Sequence, residues 1–105
     1  MSRMPVKDIG NAALFAGTTE GRLLAERLAG GPVKVHVFVA TEYGGEGLPQ
    51  AENILVHEGR MDQEEIREEL SRLSCDLVLD ATHPFGLVVS ESIKGACAAG
   101  GIPCF

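Results

Sequence analysis

Residues 11–28 read N-A-A-L-F-A-G-T-T-E-G-R-L-L-A-E-R-L. Ala12, Ala13, Leu14, Phe15 and Ala16 form a short unbroken apolar run that stops at Gly17. A run that is apolar on both faces fits a strand buried inside a parallel sheet. Past Gly17 the period changes. Leu23, Leu24, Ala25 and Leu28 gather on one helical face, with Glu20, Arg22, Glu26 and Arg27 largely on the other. Thr18 or Thr19 is the expected N-cap, and Gly30-Gly31 the expected stop. A buried strand that turns through glycine into an amphipathic helix is the first half of a strand–helix–strand unit.

The rest of the chain repeats that grammar. Val33 to Ala40 reads V-K-V-H-V-F-V-A, with a valine at every second position, the clearest strand in the sequence. Thr41 to Asn53 holds three glycines, a proline and several acidic residues, and reads as a loop. Ile54 to His57 is a third strand. Asp62 with Glu65 has the spacing of a capping box ahead of a helix whose apolar stripe is Ile66, Leu70 and Leu73. Cys75 to Ala81 is a fourth strand. A third helix is expected from Gly86 or Leu87 to Ala99, and Ile102 to Phe105 opens a fifth strand. The order strand–helix–strand–strand–helix–strand–helix–strand implies an α/β fold. It is a three-layer, doubly wound, Rossmann-like domain over residues 11–105 with a mostly parallel sheet of four or five strands. Residues 1–10 read as a flexible leader.

Composition removes several classes. Nine basic residues against fifteen acidic ones give a net charge of −6 with no basic stripe, which argues against nucleic acid. No apolar run reaches the ~18 residues of a membrane span, and Met1 to Gly10 has no signal-peptide core. Cys75, Cys97 and Cys104 are odd in number and lack C-x-x-C spacing, so free thiols are expected, with no disulfide framework and no metal site. A cytoplasmic protein is the reading.

Ligands of open α/β sheets bind outside the carboxyl ends of the strands. Four loops qualify: Gly17 to Gly21, Thr41 to Gly45, Gly59 to Asp62, and Thr82 to Gly86. The first, A-G-T-T-E-G-R, lies between strand and helix, where exposed amides and the positive helix end favour phosphate. It is neither G-x-G-x-x-G nor a Walker loop, so a simple strand–helix turn stands beside phosphate binding. The fourth, D-A-T-H-P-F-G, places His83 before Pro84, which keeps it out of helical geometry. There the alternative is a Thr82 that caps the helix and a solvated His83. His36 and His57 read as structural.

Five segments in order carry a resemblance. They are Ala16 to Arg22, Val39 to Gly44, Gly59 to Asp62, Asp80 to Phe85, and Gly101 to Pro103. Together they resemble the precorrin-6A (or cobalt-precorrin-6A) reductases, in which the most telling motif is D-A-T-H-P-[YF]-A. Gly86 replaces its alanine here, and Ala16 replaces the first glycine of the turn. The resemblance implies two Rossmann-like domains with the active-site cleft between them, so a second, C-terminal domain is expected that this chain lacks. It implies reduction of one ring double bond of precorrin-6A or cobalt-precorrin-6A by NADPH, with NADH possible, on the way to cobalamin. Gly17, Thr18, Thr19 and Gly21 would hold phosphate, with Arg22 and Arg60 on a further phosphate. Glu42 and Tyr43 would line the substrate, and Thr82 and His83 would sit near the reacting centre. The chain alone is expected to be inactive. The alternative reading is a non-catalytic flavodoxin-like nucleotide-binding or interaction domain. A short-chain reductase would want Tyr-x-x-x-Lys, but Gly47 stands at that offset from Tyr43.

Overall fold

Strand–glycine–helix grammar becomes three layers. The computed structural model describes residues 10–40, 47–82 and 87–105. In chain order the elements are β1 (Asn11–Phe15), α1 (Thr19–Leu28), β2 (Lys34–Val39), β3 (Ile54–Glu58), α2 (Gln63–Arg72), β4 (Leu77–Asp80) and α3 (Leu87–Gly100). The strands form one sheet in the order β3-β2-β1-β4, and every pair is parallel. The expected fifth strand is present as its first contact only: Cys104 bridges Val78 in parallel on the open side of β4.

Side-chain parity divides the core in two, because successive strand residues face opposite sides. Ala12, Leu14, Val35, Val37 and Val39 pack with Ala25 of α1 on one face. Ala13, Phe15, Phe38 and Val78 pack with Ile66 and Leu70 of α2 and with Ile93, Ala96 and Cys97 of α3 on the other. The valine alternation of β2 is therefore not a core-and-solvent pattern. Both of its faces are covered, and His36 is buried with the rest. Cutting Ile66 or Ile93 to alanine should cost about 2–5 kcal/mol, as for other fully buried aliphatics.

The helix ends follow their sequence signals. Thr18 caps α1, its side chain accepting the Gly21 N–H at 3.1 Å. Asp62 and Glu65 form the reciprocal capping box of α2, with bonds of 2.8 and 3.1 Å. One element departs from expectation. Leu23 is 48 % exposed, while Gly21 and Ala25 are the buried residues of α1. Position 23 lies about 200° round the helix from position 21, so the two cannot share a face. The stripe runs through Gly21, Leu24, Ala25 and Leu28 instead.

Asn53 does work that the loop reading missed. Its side-chain amide donates to the carbonyls of Leu28 and Val33 at 2.7 and 2.9 Å, and its side-chain oxygen accepts the Gly30 N–H at 2.8 Å. One side chain thus satisfies the end of α1 and the entry to β2. Cys75, Cys97 and Cys104 are free thiols, and burial pushes Cys75 up to about 11 and Cys97 up to about 12.

Candidate functional site at the strand exits

β1 pairs with β2 on one side and β4 on the other, so the sheet order reverses beside β1. A crevice at such a point is the usual ligand site of a doubly wound sheet. A cavity of about 370 Å³ opens there, lined by Ala16 and Gly17 after β1, Val39 and Ala40 after β2, Gly59 and Arg60 after β3, and Thr82 after β4. Phe15, Phe38, Met61, Ile66 and Val89 supply its apolar wall. Phe15 and Phe38 stack with ring centroids 5.0 Å apart, and His57 stacks on Phe38 at 4.8 Å. The rings come from registered positions on β1, β2 and β3, so parallel pairing alone sets them in a row.

The glycine turn is shaped for close approach. Gly17 has φ +125, and a Cβ there would meet nothing within 4 Å, so the left-handed backbone rather than crowding calls for glycine. Gly21 is the opposite case. A Cβ there would lie 2.7 Å from the Ala16 Cβ and 3.0 Å from its Cα, so its absence lets α1 press on the end of β1. This is the helix–strand packing role of the last glycine in dinucleotide turns. Thr18 is committed on both sides: its hydroxyl donates to the Ala81 carbonyl at 2.6 Å and accepts from Gly21. A hydroxyl has one proton, so Thr18 has none left to give a phosphate. Thr19 is exposed at the first turn of α1, where the N–H groups lack intrahelical acceptors.

The remaining expected residues divide in the same way. Arg60 is exposed and faces the main cavity. It also lines a neighbouring groove of about 330 Å³ with His57, Glu58, Glu65, Glu68 and Glu69. Arg22 is exposed and runs against Gly47: a Cβ built there would sit 3.3 Å from the Arg22 Cδ. Thr82 lines the main cavity, but its amide and hydroxyl both donate to Asp80 Oδ1, at 3.0 and 2.7 Å. Glu42, Tyr43 and His83 lie outside the described residues. Among the described residues, no three His, Cys, Asp or Glu side chains come together as a metal site. No helix among them is long and apolar enough to cross a membrane.

His36 and His57 take the structural place expected of them. His36 Nδ1 lies 3.0 Å from His57 Nε2, and His36 Nε2 is buried without a partner. Burial lowers the pKa of both rings, and for His36 the neighbouring His57, Lys34 and Arg72 lower it further against Glu69. Sequence reading missed Ser90, which touches Thr82 at 3.1 Å. It also missed Phe15 and Phe38 as cavity walls. Strand parity was the available signal, since each is the last apolar residue of its strand on the α2–α3 face.

Residues 11–105 match the model of a family described as precorrin-6x reductase CbiJ/CobK. The chain belongs to the precorrin-6x reductase family. It is 32% identical over 85 residues to the cobalt-precorrin-6A reductase of Methanothermobacter thermautotrophicus, covering 80% of this chain and 28% of that protein. It is 28% identical over 98 residues to the cobalt-precorrin-6A reductase of Synechocystis, covering 93% of this chain and 38% of that one. The solved structure of CobK precorrin-6A reductase superposes with a TM-score of 0.73 at 27% identity, over 91% of this chain and 38% of that chain. A Rossmann-fold NAD(P)-binding family protein from Shigella flexneri also reaches 0.73 over 91% of this chain; at 17% identity it speaks for the fold alone. The chain thus spans little more than a third, or less, of the length of these reductase relatives.

Proposed function

We propose that this chain is the nucleotide-binding domain of a cytoplasmic reductase. The enzyme would use NADPH to reduce one ring double bond of precorrin-6A or cobalt-precorrin-6A, giving the corresponding precorrin-6B. The observation that carries the reading is the cavity across the exits of β1, β2, β3 and β4, in a chain of this family. The turn before α1 fits a dinucleotide phosphate: open space over Gly17, first-turn amides at Thr19 and Glu20, and close packing at Gly21. The reduced nicotinamide supplies the hydride when bound, and the chain's own residues supply binding and orientation.

In this reading Gly17 and Thr19 hold the pyrophosphate, while Thr18 and Gly21 hold the turn. Arg60, with Arg22 beside it in sequence role, pairs with the 2′-phosphate that separates NADPH from NADH. Glu42 and Tyr43 line the macrocycle edge. Saturating a carbon–carbon double bond takes one hydride and one proton, and His83 is the proposed proton donor. The rest of the relatives' length would form the other wall of the cleft, so the chain alone should bind cofactor without turning substrate over.

Titration of the chain with NADPH and NADH, followed by the fluorescence of the reduced nicotinamide, tests the cofactor. Tighter binding of NADPH that shrinks to parity in Arg60→Ala supports the reading. Failure to bind either dinucleotide overturns it.

A further inference from the structure

A hydroxyl at a ligand cavity can donate or accept, and which it does decides what it recognises. At the β4 exit that choice is made by neighbours. Thr82 Oγ1 lies 2.7 Å from Asp80 Oδ1, and the Thr82 amide reaches the same oxygen at 3.0 Å. Burial alone would raise the Asp80 carboxyl. The bonds from the Thr82 hydroxyl and amide and from Ser90, with the charge of Lys94, outweigh it and hold Asp80 below its ordinary range. An ionised carboxylate only accepts, so the single Thr82 proton points at Asp80. Ser90 Oγ lies 3.1 Å from Thr82 Oγ1, and its own single proton goes either to Thr82 or to Asp80. In either arrangement Thr82 keeps at least one lone pair open and no proton to give. Thr82 also lines the main cavity.

We propose that Asp80 and Ser90 are positioning residues that present the Thr82 hydroxyl to the cavity as an acceptor only. Thr82 then selects the ligand group that brings an N–H there, the carboxamide of the nicotinamide. This rests on the cofactor reading above. A dinucleotide lies across the switch point, with its adenosine ribose directed to the residues beyond the second strand. Its reacting end is left for the opposite side, where β4 ends beside β1. A carbonyl or carboxylate at that place would meet a lone pair instead of a proton.

The test compares the affinity of this chain for NADPH with that for its reduced acetylpyridine analogue, in which a methyl group replaces the carboxamide NH2. The native chain should prefer NADPH by about tenfold, the worth of one hydrogen bond inside a cleft. Thr82→Val should bind the two alike, and Thr82→Ser should restore the preference. In Asp80→Asn the new amide can donate to Thr82 and free its proton, so the preference should vanish or reverse. A native chain that binds both dinucleotides equally overturns this proposal and leaves the cofactor reading standing. A tenfold preference that survives in Thr82→Val overturns it as well. Binding of neither dinucleotide overturns both.

Discussion

The β1–β4 junction and the β3 exit carry similar residue types and spend them differently. At the junction, Thr18 donates to Ala81, Thr82 donates to Asp80, and the Ala81 N–H donates to the Phe15 carbonyl at 2.9 Å. The polar groups there close on one another and tie two strands together. At the β3 exit, Gly59 has φ +129 in open space, and Arg60 stands exposed between two cavities. A polar residue at a strand end is thus either a rivet or a reach. Its own hydrogen-bond inventory decides which.

The sharpest way to break that comparison is to overfill the riveted side. Gly21→Ala would place a methyl group 2.7 Å from the Ala16 Cβ and 3.0 Å from its Cα. The backbone atom cannot swing away, so α1 must lift from β1, at a cost of about 1–3 kcal/mol. Thermal unfolding should show a drop of several degrees. At Gly59, by contrast, a Cβ meets nothing, so Gly59→Ala should pay only for its left-handed backbone. A Gly21→Ala chain that unfolds at the native temperature would show that the junction is not tightly packed.

Next in size is Thr18→Val, which keeps the shape and removes both bonds of the hydroxyl. It should cost about 1–2 kcal/mol of stability through the lost cap, measurable by urea unfolding. Thr19→Val should leave stability within about 0.5 kcal/mol, as for an exposed position without a partner, and weaken NADPH instead. A stable Thr18→Val chain with lost cofactor affinity would reverse the two roles.

These two threonines also mark where the sequence stops being informative. The strand–helix alternation, the capping box and the Gly30-Gly31 helix stop were legible, because each is a local signal of spacing and residue type. The neighbourhood of β1 and β4 followed from topology. Which of two adjacent threonines gives its proton to Ala81 was not legible, since Ala81 lies 63 residues away in sequence. Asn53 escaped for the same reason: its partners Leu28 and Val33 sit 25 and 20 residues upstream. Leu23 was misplaced by a different route. Counting apolar residues overlooked that the buried member of the helix face is a glycine.

On the reaching side, Arg60→Ala should lower NADPH affinity by about tenfold, roughly 1.4 kcal/mol, with no loss of stability beyond about 0.5 kcal/mol. Added salt should narrow the difference between native and variant chains, because the pair is exposed. An affinity loss that salt leaves untouched would mean that Arg60 does not act by charge.

The smallest effect comes from the histidines behind the β3 exit. His36 and His57 share one hydrogen bond, and both have pKa values lowered below 6.5, by burial first. For a base whose folded pKa is depressed, the unfolded chain takes up protons that the fold refuses. Stability from this source is therefore complete above pH 6.5 and falls as pH drops from 6.5 toward the folded pKa. The carboxylates lowered in the fold, Glu64, Glu69 and Asp80, start from 4.5 or below, so a window between pH 5 and 7.5 isolates the histidines. His36→Leu removes one of the two titrating rings and the buried, partnerless Nε2 with it. It leaves His57 half-buried, where water can replace the lost partner. The variant should match the native chain at pH 7.5 within about 1 kcal/mol, since the lost bond and the lost orphan atom offset each other. Its stability should fall less between pH 7.5 and pH 5. Urea unfolding at the two pH values measures both quantities, and an unchanged difference between them would place the pH-sensitive group somewhere other than this pair.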